Sequence, residues 1–406
     1  MPFIEAMRQF QFRAGKGNFC SVHVSLVPVV GAVGEQKSKP TQQSVREIRA
    51  LGLSPDIIVC RSTQVLSSSV KEKISSFCHV QPENVISVHD VSNIYRVPLI
   101  LHPQGLTDLL INRLQLTSPH EIDLKAWNKL AQTADNLSAT KRNPTHIALV
   151  GKYTNLSDAY ASVINSLQHA ALHVDEKLVI DWVDATHLEI ETKTNDPEAY
   201  EQAWKLLKAA DGVLVPGGFG DRGVEGKILA AHFARTNYVP YLGICLGLQV
   251  AVIEVARNVL GWTNANSTEF KEDSDPAIVI YMPEISKTQM GGTMRLGKRR
   301  TVFRDKNTTI GKLYGNVEYV DERHRHRYEV NPDFTDEIEA KSNLRFVGQD
   351  ETGKRMEIIE VKDHPYFVAV QYHPEFLTRP VSPSPPFVGL MLAASKKLSE
   401  YLKNQQ

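Results

Sequence analysis

Cysteine is scarce in this 406-residue sequence, and its spacing excludes several classes of protein. The four cysteines, Cys20, Cys60, Cys78 and Cys245, lie far apart and form no C-x-x-C pair. Neither a disulfide framework nor a cysteine metal site is expected from this spacing. A chain of this kind suits a reducing compartment, so we expect a cytoplasmic protein.

An excess of charge and a long apolar run are absent as well. Lysine plus arginine number 46, as do aspartate plus glutamate, so no net field favours nucleic acid or a membrane surface as a partner. No apolar run approaches the ~20 residues of a membrane span. The amino terminus lacks the apolar core of a signal peptide. The length allows two or three globular domains.

Residues 1–116 read as an α/β block that lacks a glycine-rich phosphate loop. Apolar runs of four to eight residues alternate with helical patterns, which predicts a parallel sheet of about three strands. A doubly wound sheet usually opens on a strand followed by phosphate-binding glycines, whereas this block opens on a helix. We therefore expect 1–116 to be the carboxyl-terminal portion of a Rossmann-like or P-loop-type domain.

A polar connector at 117–143, with a helix around Trp127, leads into a second α/β block at 144–406. Within it, GICLG places Cys245 between two glycines where an apolar strand meets a helix. The analogous G-x-S-x-G is a nucleophile elbow, in which a Cβ at either glycine would crowd the turn. A helix amino end favours the thiolate, although a small apolar core cysteine is the alternative for this residue alone.

Two further motifs follow strands of the same block. YFVAVQYHPE ends with His373 and Glu375, which suit a base and the acceptor that orients it. A solvated histidine is the alternative for His373 alone. VPGGFG, residues 215–220, offers backbone N–H groups to a developing oxyanion. Together the three motifs predict a cysteine-dependent catalytic site.

PGGFG, GICLGLQ and HPE resemble class I glutamine amidotransferases, and NANSTEF, GGTMRLG and ERHRHRYEVN narrow the resemblance to the CTP synthase family. GEQKSKPTQQSV, CRS and HDVSNIYRVP resemble the second half of that family's synthetase domain. The resemblance covers essentially the whole chain. It implies a partial Rossmann-like or P-loop-type synthetase domain followed by a complete class I glutamine amidotransferase α/β domain.

The resemblance also implies roles for individual residues. Cys245 would attack the side-chain amide of glutamine, His373 would act as base and then acid, and Glu375 would orient the imidazole. Gly218 and Leu246 would bind the oxyanion. The implied glutamine-binding residues are Gly218, Leu246, Gly247, Leu248, Gln249, Glu269 and Arg327. A helix-face residue, a cap and a solvated basic run are the alternatives for Gln249, Glu269 and RHRHRY.

In the synthetase block the resemblance implies nucleotide contacts. The residues for UTP or CTP are Lys37, Ser38, Lys39, Pro40, Thr41, Gln42 and Lys73, and Val91 would lie beside the ATP adenine. GTP would be an allosteric activator, with the loop around GGTMRLG as its lid. The family's phosphate loop and Mg²⁺ ligands precede the segment that matches Pro2, so we expect no metal site in this chain.

The family aminates UTP to CTP with ATP, Mg²⁺ and glutamine, the last step of de novo CTP synthesis, and its members form homotetramers and filaments. For this chain we expect only the glutamine hydrolysis half-reaction. One alternative is a non-catalytic regulatory or filament-associated short isoform. Another is a cysteine hydrolase that acts on γ-glutamyl peptides, which GGTMRLG and RHRHRYEVN disfavour.

Overall fold

The computed structural model describes residues 2–32, 34–117, 121–154, 157–282 and 294–404. The chain divides into two compact units between Ala139 and Thr140. The helix expected around Trp127 runs from Lys125 to Ala139, so it belongs to the first unit.

The first unit contains a parallel three-stranded sheet, as its apolar runs predict. The strands are β1 Val22–Leu26, β4 Ile57–Arg61 and β5 Val85–Val88, in the order β1-β4-β5, and a hairpin pairs β2 Val29–Val30 with β3 Glu35–Gln36. The helices are α1 Pro2–Ala14, α2 Lys39–Ala50, α3 Ser68–Cys78, α4 Val97–Leu101, α5 Leu106–Leu114 and α6 Lys125–Ala139.

The central strand β4 carries the core of this unit, because Ile57, Ile58 and Cys60 are fully or almost fully buried. Strand β1 is less covered: the side chains of Val24 and Leu26 are exposed, and α1 buries no residue. One side of this sheet therefore presents apolar surface within the described part of the chain.

The second unit contains a nine-stranded mixed sheet in the order β13-β12-β15-β16-β17-β9-β8-β6-β7. A smaller sheet has the order β10-β11-β14. The strands are β6 Thr145–Gly151, β7 Leu178–Asp184, β8 Gly212–Val215, β9 Tyr241–Ile244, β10 Asn266–Ser267, β11 Ala277–Tyr281, β12 Arg295–Phe303, β13 Tyr319–His326, β14 Tyr328–Val330, β15 Leu344–Asp350, β16 Met356–Val361 and β17 Phe367–Val370.

Strand β17 joins the two halves of the large sheet, since it pairs parallel with β9 and antiparallel with β16. Helices cover both faces, which confirms the predicted α/β class. The helices are α7 Ala161–His173, α8 Ile190–Asn195, α9 Pro197–Ala209, α10 Val224–Thr236, α11 Leu246–Asn258, α12 Thr309–Leu313, α13 Thr335–Lys341, α14 Pro385–Ala394 and α15 Leu398–Asn404.

The central strands β8, β9 and β17 are buried along their whole length, as their near-continuous apolar sequences require between two helical layers. Their carboxyl ends meet at one edge of the sheet, where open α/β folds assemble their sites. Among the described residues, no helix combines the length and apolarity needed to cross a membrane.

Candidate active site

Cys245 occupies a sharp turn between β9 and α11. Its backbone has φ 53° and ψ −101°, a left-handed conformation that costs a non-glycine residue roughly 1–3 kcal/mol. Its N–H donates to the carbonyl of Val370 at 2.7 Å, which ties the turn to β17. A Cβ at Gly247 would lie 2.2 Å from the carbonyl oxygen of Val215, so only glycine fits there. This is the geometry of the nucleophile elbow that the sequence predicts.

His373 leaves the strand beside Cys245. Strands β9 and β17 pair in register, with Ile244 opposite Val370, so the segments that carry the thiol and the imidazole emerge at the same edge. The Nδ1 atom of His373 lies 2.8 Å from Oε1 of Glu375. Its Nε2 atom is buried and has no hydrogen-bond partner among the described residues. The imidazole therefore has one nitrogen held by a carboxylate and the other available for chemistry.

The glycine loop after β8 packs against both groups. A Cβ at Gly217 would lie 2.9 Å from Cε1 of His373 and 3.4 Å from Cβ of Cys245. These distances bring the thiol, the imidazole and the loop into one corner of the sheet edge. The absence of a side chain at Gly217 is thus a condition for the approach of His373.

The charge state of His373 reflects its neighbours. Burial by itself would lower the pKa of this imidazole. The negative charge of Cys245 and the carboxylate of Glu375 outweigh that effect and hold the pKa of His373 well above its usual value. The thiolate is the reactive form of a cysteine nucleophile, and an imidazolium beside it would stabilise that form.

Two backbone N–H groups lie at this corner. Leu246 is the first residue of α11, so its N–H has no acceptor within the helix. A Cβ at Gly218 would lie 3.8 Å from Cδ2 of Leu246, which brings the loop backbone close to the helix start. Both N–H groups are therefore candidates for an oxyanion-binding pair beside Cys245.

A cavity of about 290 Å³ opens in front of the thiol. Its size suits a small amino acid rather than a peptide. The lining residues are Tyr153, Ala159, Tyr160, Ser162, Val163, Pro216, Gly217, Gly218, Phe219, Cys245, Arg325, His373, Glu375 and Phe376.

Glu269 and Arg327 both lie near the glycine loop. An oxygen of Glu269 accepts the N–H of Gly220 at 3.3 Å, and the guanidinium of Arg327 lies 5.7 Å from the ring centroid of Phe219. Burial raises the pKa of Glu269, although the Gly220 N–H, Lys152 and Arg327 oppose the rise. One carboxyl group and one guanidinium thus lie beside the glycine loop, although neither is among the described residues that line the cavity.

The remaining glutamine-contact candidates face inward. Leu248 is fully buried in the core, and Gln249 is 3% exposed. The amide nitrogen of Gln249 donates to the carbonyl of Tyr328 at 3.0 Å and to Oε1 of Gln371 at 3.3 Å. In turn, Nε2 of Gln371 donates to the sulfur of Cys245 at 3.5 Å. Gln249 therefore contacts the site through Gln371.

Sequence reasoning missed Gln371 and Lys152. Gln371 directly follows β17 and lies two residues before His373, so a search of the residues next to the HPE motif would have found it. Lys152 follows β6 at the carboxyl edge and is almost fully buried. Its ammonium donates to the carbonyl oxygens of Phe219, at 3.1 Å, and Gly220. Lys152 therefore holds the loop that contains Gly218, one of the two candidate oxyanion donors.

The first unit has its own basic cavity, of about 910 Å³, between the amino ends of α2 and α3. Lys37, Lys39 and Lys73 line it, and Ser38 lies between the first two. Lys37 is 2.5 Å from Glu35, and the charges of Lys37 and Lys73 help to lower the pKa of Glu35. Three lysines against one acid make a setting suited to a polyphosphate.

The next residues of the predicted nucleotide segment turn away from this cavity. Thr41 is fully buried and donates to the carbonyl of Leu26 at 3.2 Å. Gln42 donates to the hydroxyl of Ser38 at 3.0 Å, and Pro40 lies in the first turn of α2. Val91 lies in the loop that follows β5, at the carboxyl edge of the β1-β4-β5 sheet.

Residues 291–293, which begin the GGTMRLG segment, lie outside the described residues together with 283–290, so the structure describes only part of the predicted GTP lid. No group of three or more histidine, cysteine, aspartate or glutamate side chains in the described ranges could hold a metal ion. These residues do not fit Mg²⁺, and no chemical step is assigned to it.

Comparison with known proteins explains why these motifs occur together. A model of the CTP synthase N-terminus matches residues 1–116, and one of class-I glutamine amidotransferases matches residues 155–393. The CTP synthase of Dictyostelium discoideum is 58% identical over 416 residues, which cover 98% of this chain and 72% of that protein. The chain belongs to the CTP synthase family.

Two further relatives agree with membership of the CTP synthase family. Human CTP synthase 1 is 57% identical over 406 residues, which cover 99% of this chain and 68% of that protein. The acivicin-bound glutaminase domain of Trypanosoma brucei CTPS is 41% identical, with a TM-score of 0.57, and covers 62% of this chain and 94% of that domain. The predicted family and the amidotransferase fold are therefore confirmed.

Proposed function

We propose that the second unit hydrolyses glutamine at Cys245 and that the ammonia serves the ATP-dependent amination of UTP to CTP. The proposal rests on one observation. Cys245 lies on a strained strand-to-helix turn beside His373, whose Nε2 atom is buried and has no hydrogen-bond partner among the described residues. Such a pair is the arrangement of a cysteine nucleophile and its base.

The steps follow from the positions of these groups. The Cys245 proton passes to Nε2 of His373, and the sulfur attacks the amide carbon of glutamine. The N–H groups of Gly218 and Leu246 bind the oxyanion. His373 then protonates the leaving nitrogen, the carbon–nitrogen bond breaks, and ammonia departs from a γ-glutamyl thioester. Water, activated by the same imidazole, hydrolyses the thioester and releases glutamate. Glu375 keeps the imidazole oriented throughout.

For substrate recognition, we assign the glutamine ammonium to Glu269 and its carboxylate to Arg327, since each supplies the opposite charge near the cavity. Gly247 and Leu248 shape the helix start, and Gln249 acts through Gln371. In the first unit, the triphosphate of UTP or CTP goes to the cavity of Lys37, Lys39 and Lys73, with ATP near Val91. The proposal also includes GTP as an activator, a cytoplasmic location and assembly into homotetramers or filaments. Mg²⁺ enters it only as the ion that accompanies ATP as a substrate of the family.

The alternative of a non-catalytic, filament-associated regulator is not favoured. A regulator would have no need for a strained nucleophile turn, an oriented imidazole and two convergent N–H donors. Each of these features costs stability or restricts the sequence, and together they match one chemistry.

The test uses the full chain with two nitrogen sources. With glutamine, we expect wild-type protein to release glutamate and Cys245→Ala to release none. With ATP, UTP, Mg²⁺ and free ammonia, which bypasses the thiol, we expect neither protein to form CTP, because the proposal gives this chain the glutamine hydrolysis half-reaction alone. Glutamate release by Cys245→Ala would overturn the nucleophile assignment. Formation of CTP from ammonia by either protein would overturn the restriction to that half-reaction and would leave the nucleophile assignment intact.

A further inference from the structure

A second carboxyl group is buried behind the catalytic pair. Glu322 of β13 is 4% exposed, and Glu375 is 8% exposed. Each uses one oxygen: Oε1 of Glu375 faces His373, and Oε1 of Glu322 accepts the hydroxyl of Tyr314 at 2.8 Å. The Oε2 atoms of both are buried and have no hydrogen-bond partner among the described residues. Two buried carboxyl groups near one imidazole call for an electrostatic explanation.

Glu322 is tied to the catalytic segment from two sides. The N–H of His373 donates to the carbonyl of Arg323, the next residue of β13, at 2.7 Å. The hydroxyls of Tyr314 and Tyr372 lie 3.2 Å apart, so the residue before His373 reaches Glu322 through Tyr314. These contacts fix the separation of Glu322 from the triad by both backbone and side chain.

The charges around Glu322 favour its neutral form. Burial raises the pKa of Glu322 to about 7; the Tyr314 hydroxyl opposes the rise and the charge of Glu375 adds to it. Tyr372 is fully buried and Tyr314 is partly buried, and burial holds the pKa of each well above its usual value, so both remain protonated. Glu357 of β16 and Tyr366, which precedes β17, also act on Tyr372. No cation is among the groups that act on Glu322.

We propose that Glu322 is a positioning residue for the triad and acts as an uncharged carboxylic acid. In that form it leaves Glu375 as the single negative charge behind His373 and keeps the Tyr314–Tyr372 contact in place. Ionisation of Glu322 adds a second negative charge, so His373 holds its proton more tightly and passes it less readily to the leaving nitrogen. The inference rests on the proposed glutamine hydrolysis.

The decisive variant is Glu322→Gln, because an amide is neutral, nearly isosteric and still accepts from Tyr314. We expect its kcat for glutamate release at pH 6.5 to fall less than about threefold, whereas Glu322→Leu falls at least about tenfold at unchanged KM. In the pH profile of kcat, the pH at which activity falls on the alkaline side should be about one unit higher for Glu322→Gln, since the second negative charge cannot form. Glu360→Gln is the control, since Glu360 is a partly buried glutamate that accepts the N–H of Ile310 at 2.6 Å.

A second measurement needs no glutamine. The rate at which iodoacetamide alkylates Cys245, followed by mass spectrometry of its peptide, should show a step near pH 7 in wild type and Glu360→Gln but not in Glu322→Gln. The same pH profile in wild type and Glu322→Gln would overturn the inference. Loss of activity in Glu322→Gln as severe as in Glu322→Leu would also overturn it. Absence of glutamate release from wild type would overturn the proposed function, and the alkylation profiles would still decide the role of Glu322.

Discussion

The amide nitrogen of Gln371 lies 3.5 Å from the sulfur of Cys245 and is oriented by Gln249. Gln371 thus supplies a side-chain donor to the thiolate, in addition to the positive charge of His373. This relationship connects a residue that the motifs do not contain to the nucleophile, and its energetic value can be measured.

Replacement of Gln371 by leucine should weaken the thiolate. A hydrogen bond to a charged group contributes about 1.5–3 kcal/mol, so we expect kcat for glutamate release to fall by about 10- to 100-fold. The pH at which Cys245 becomes reactive to iodoacetamide should rise. Tyr328 and Gln249 keep their mutual bond, so the thermal midpoint should change little. An alkylation profile identical to that of wild type would contradict the assignment.

Neighbouring glycines should respond differently to alanine. At Gly217 a Cβ would lie 2.9 Å from His373, so Gly217→Ala should displace the imidazole, cost about 1–3 kcal/mol of stability and abolish most activity. At Gly218 the nearest atom is 3.6 Å away, an ordinary contact, so Gly218→Ala should keep wild-type stability. Urea unfolding of the two variants tests the contrast. Equal stability losses would show that the loop backbone, not His373, sets the constraint.

The buried pair His324 and His326 should make the second unit sensitive to acid. Nδ1 of His324 and Nε2 of His326 lie 3.0 Å apart. Burial lowers their pKa values to about 2 and about 3. Because the unfolded chain binds more protons, stability is complete above pH ~6.5 and falls with acid by about 1.4 kcal/mol per pH unit for each imidazole.

Urea unfolding of the full chain at pH 7.5, 6.5 and 5.5 measures this slope. His324→Gln should lose part of the acid dependence, while His187→Gln, on a half-buried 3₁₀ turn away from this pair, should keep it. A slope unchanged by His324→Gln would mean that other groups cause the acid sensitivity.

The basic cavity of the first unit should set UTP affinity. Lys37→Gln and Lys73→Gln each remove one charge from the proposed triphosphate site, so we expect about a tenfold weaker Kd, or about 1.4 kcal/mol. The wild-type affinity should also fall as salt increases. Lys125→Gln is the control, since its side chain is 93% exposed outside the cavity lining. Isothermal titration calorimetry with UTP gives the Kd of the wild type and of the three variants.

The catalytic motifs were predictable because their signals are local. GICLG, PGGFG and HPE each combine a strand end with a residue type that the chemistry requires, and the alternation of apolar runs and helical patterns gives the α/β class. The hairpin of β15 and β16 follows from ETGK between two apolar segments. The match of Ile244 to Val370 could not be derived, since register depends on the assembled sheet.

The antiparallel extension of the sheet was harder to derive from sequence. Strands β12 and β13, RLGKRRTVF and YVDERHRH, are rich in charge and lack the apolar alternation that marks a strand. Their inward positions carry polar side chains that form hydrogen bonds in place of apolar contacts: Thr301 donates to Glu357, Glu322 accepts from Tyr314, and His324 lies 3.0 Å from His326. RHRHRY therefore reads as a basic run in sequence but forms an edge strand with buried histidines.

The in-register pairing of β9 and β17 has a consequence for how the protein loses activity. Both strands are completely buried, and such strands exchange their amide hydrogens only when the whole domain opens. The separation of Cys245 from His373 therefore cannot loosen by local fraying. Heating should leave the turnover of the surviving molecules intact until the second unit melts as one cooperative body.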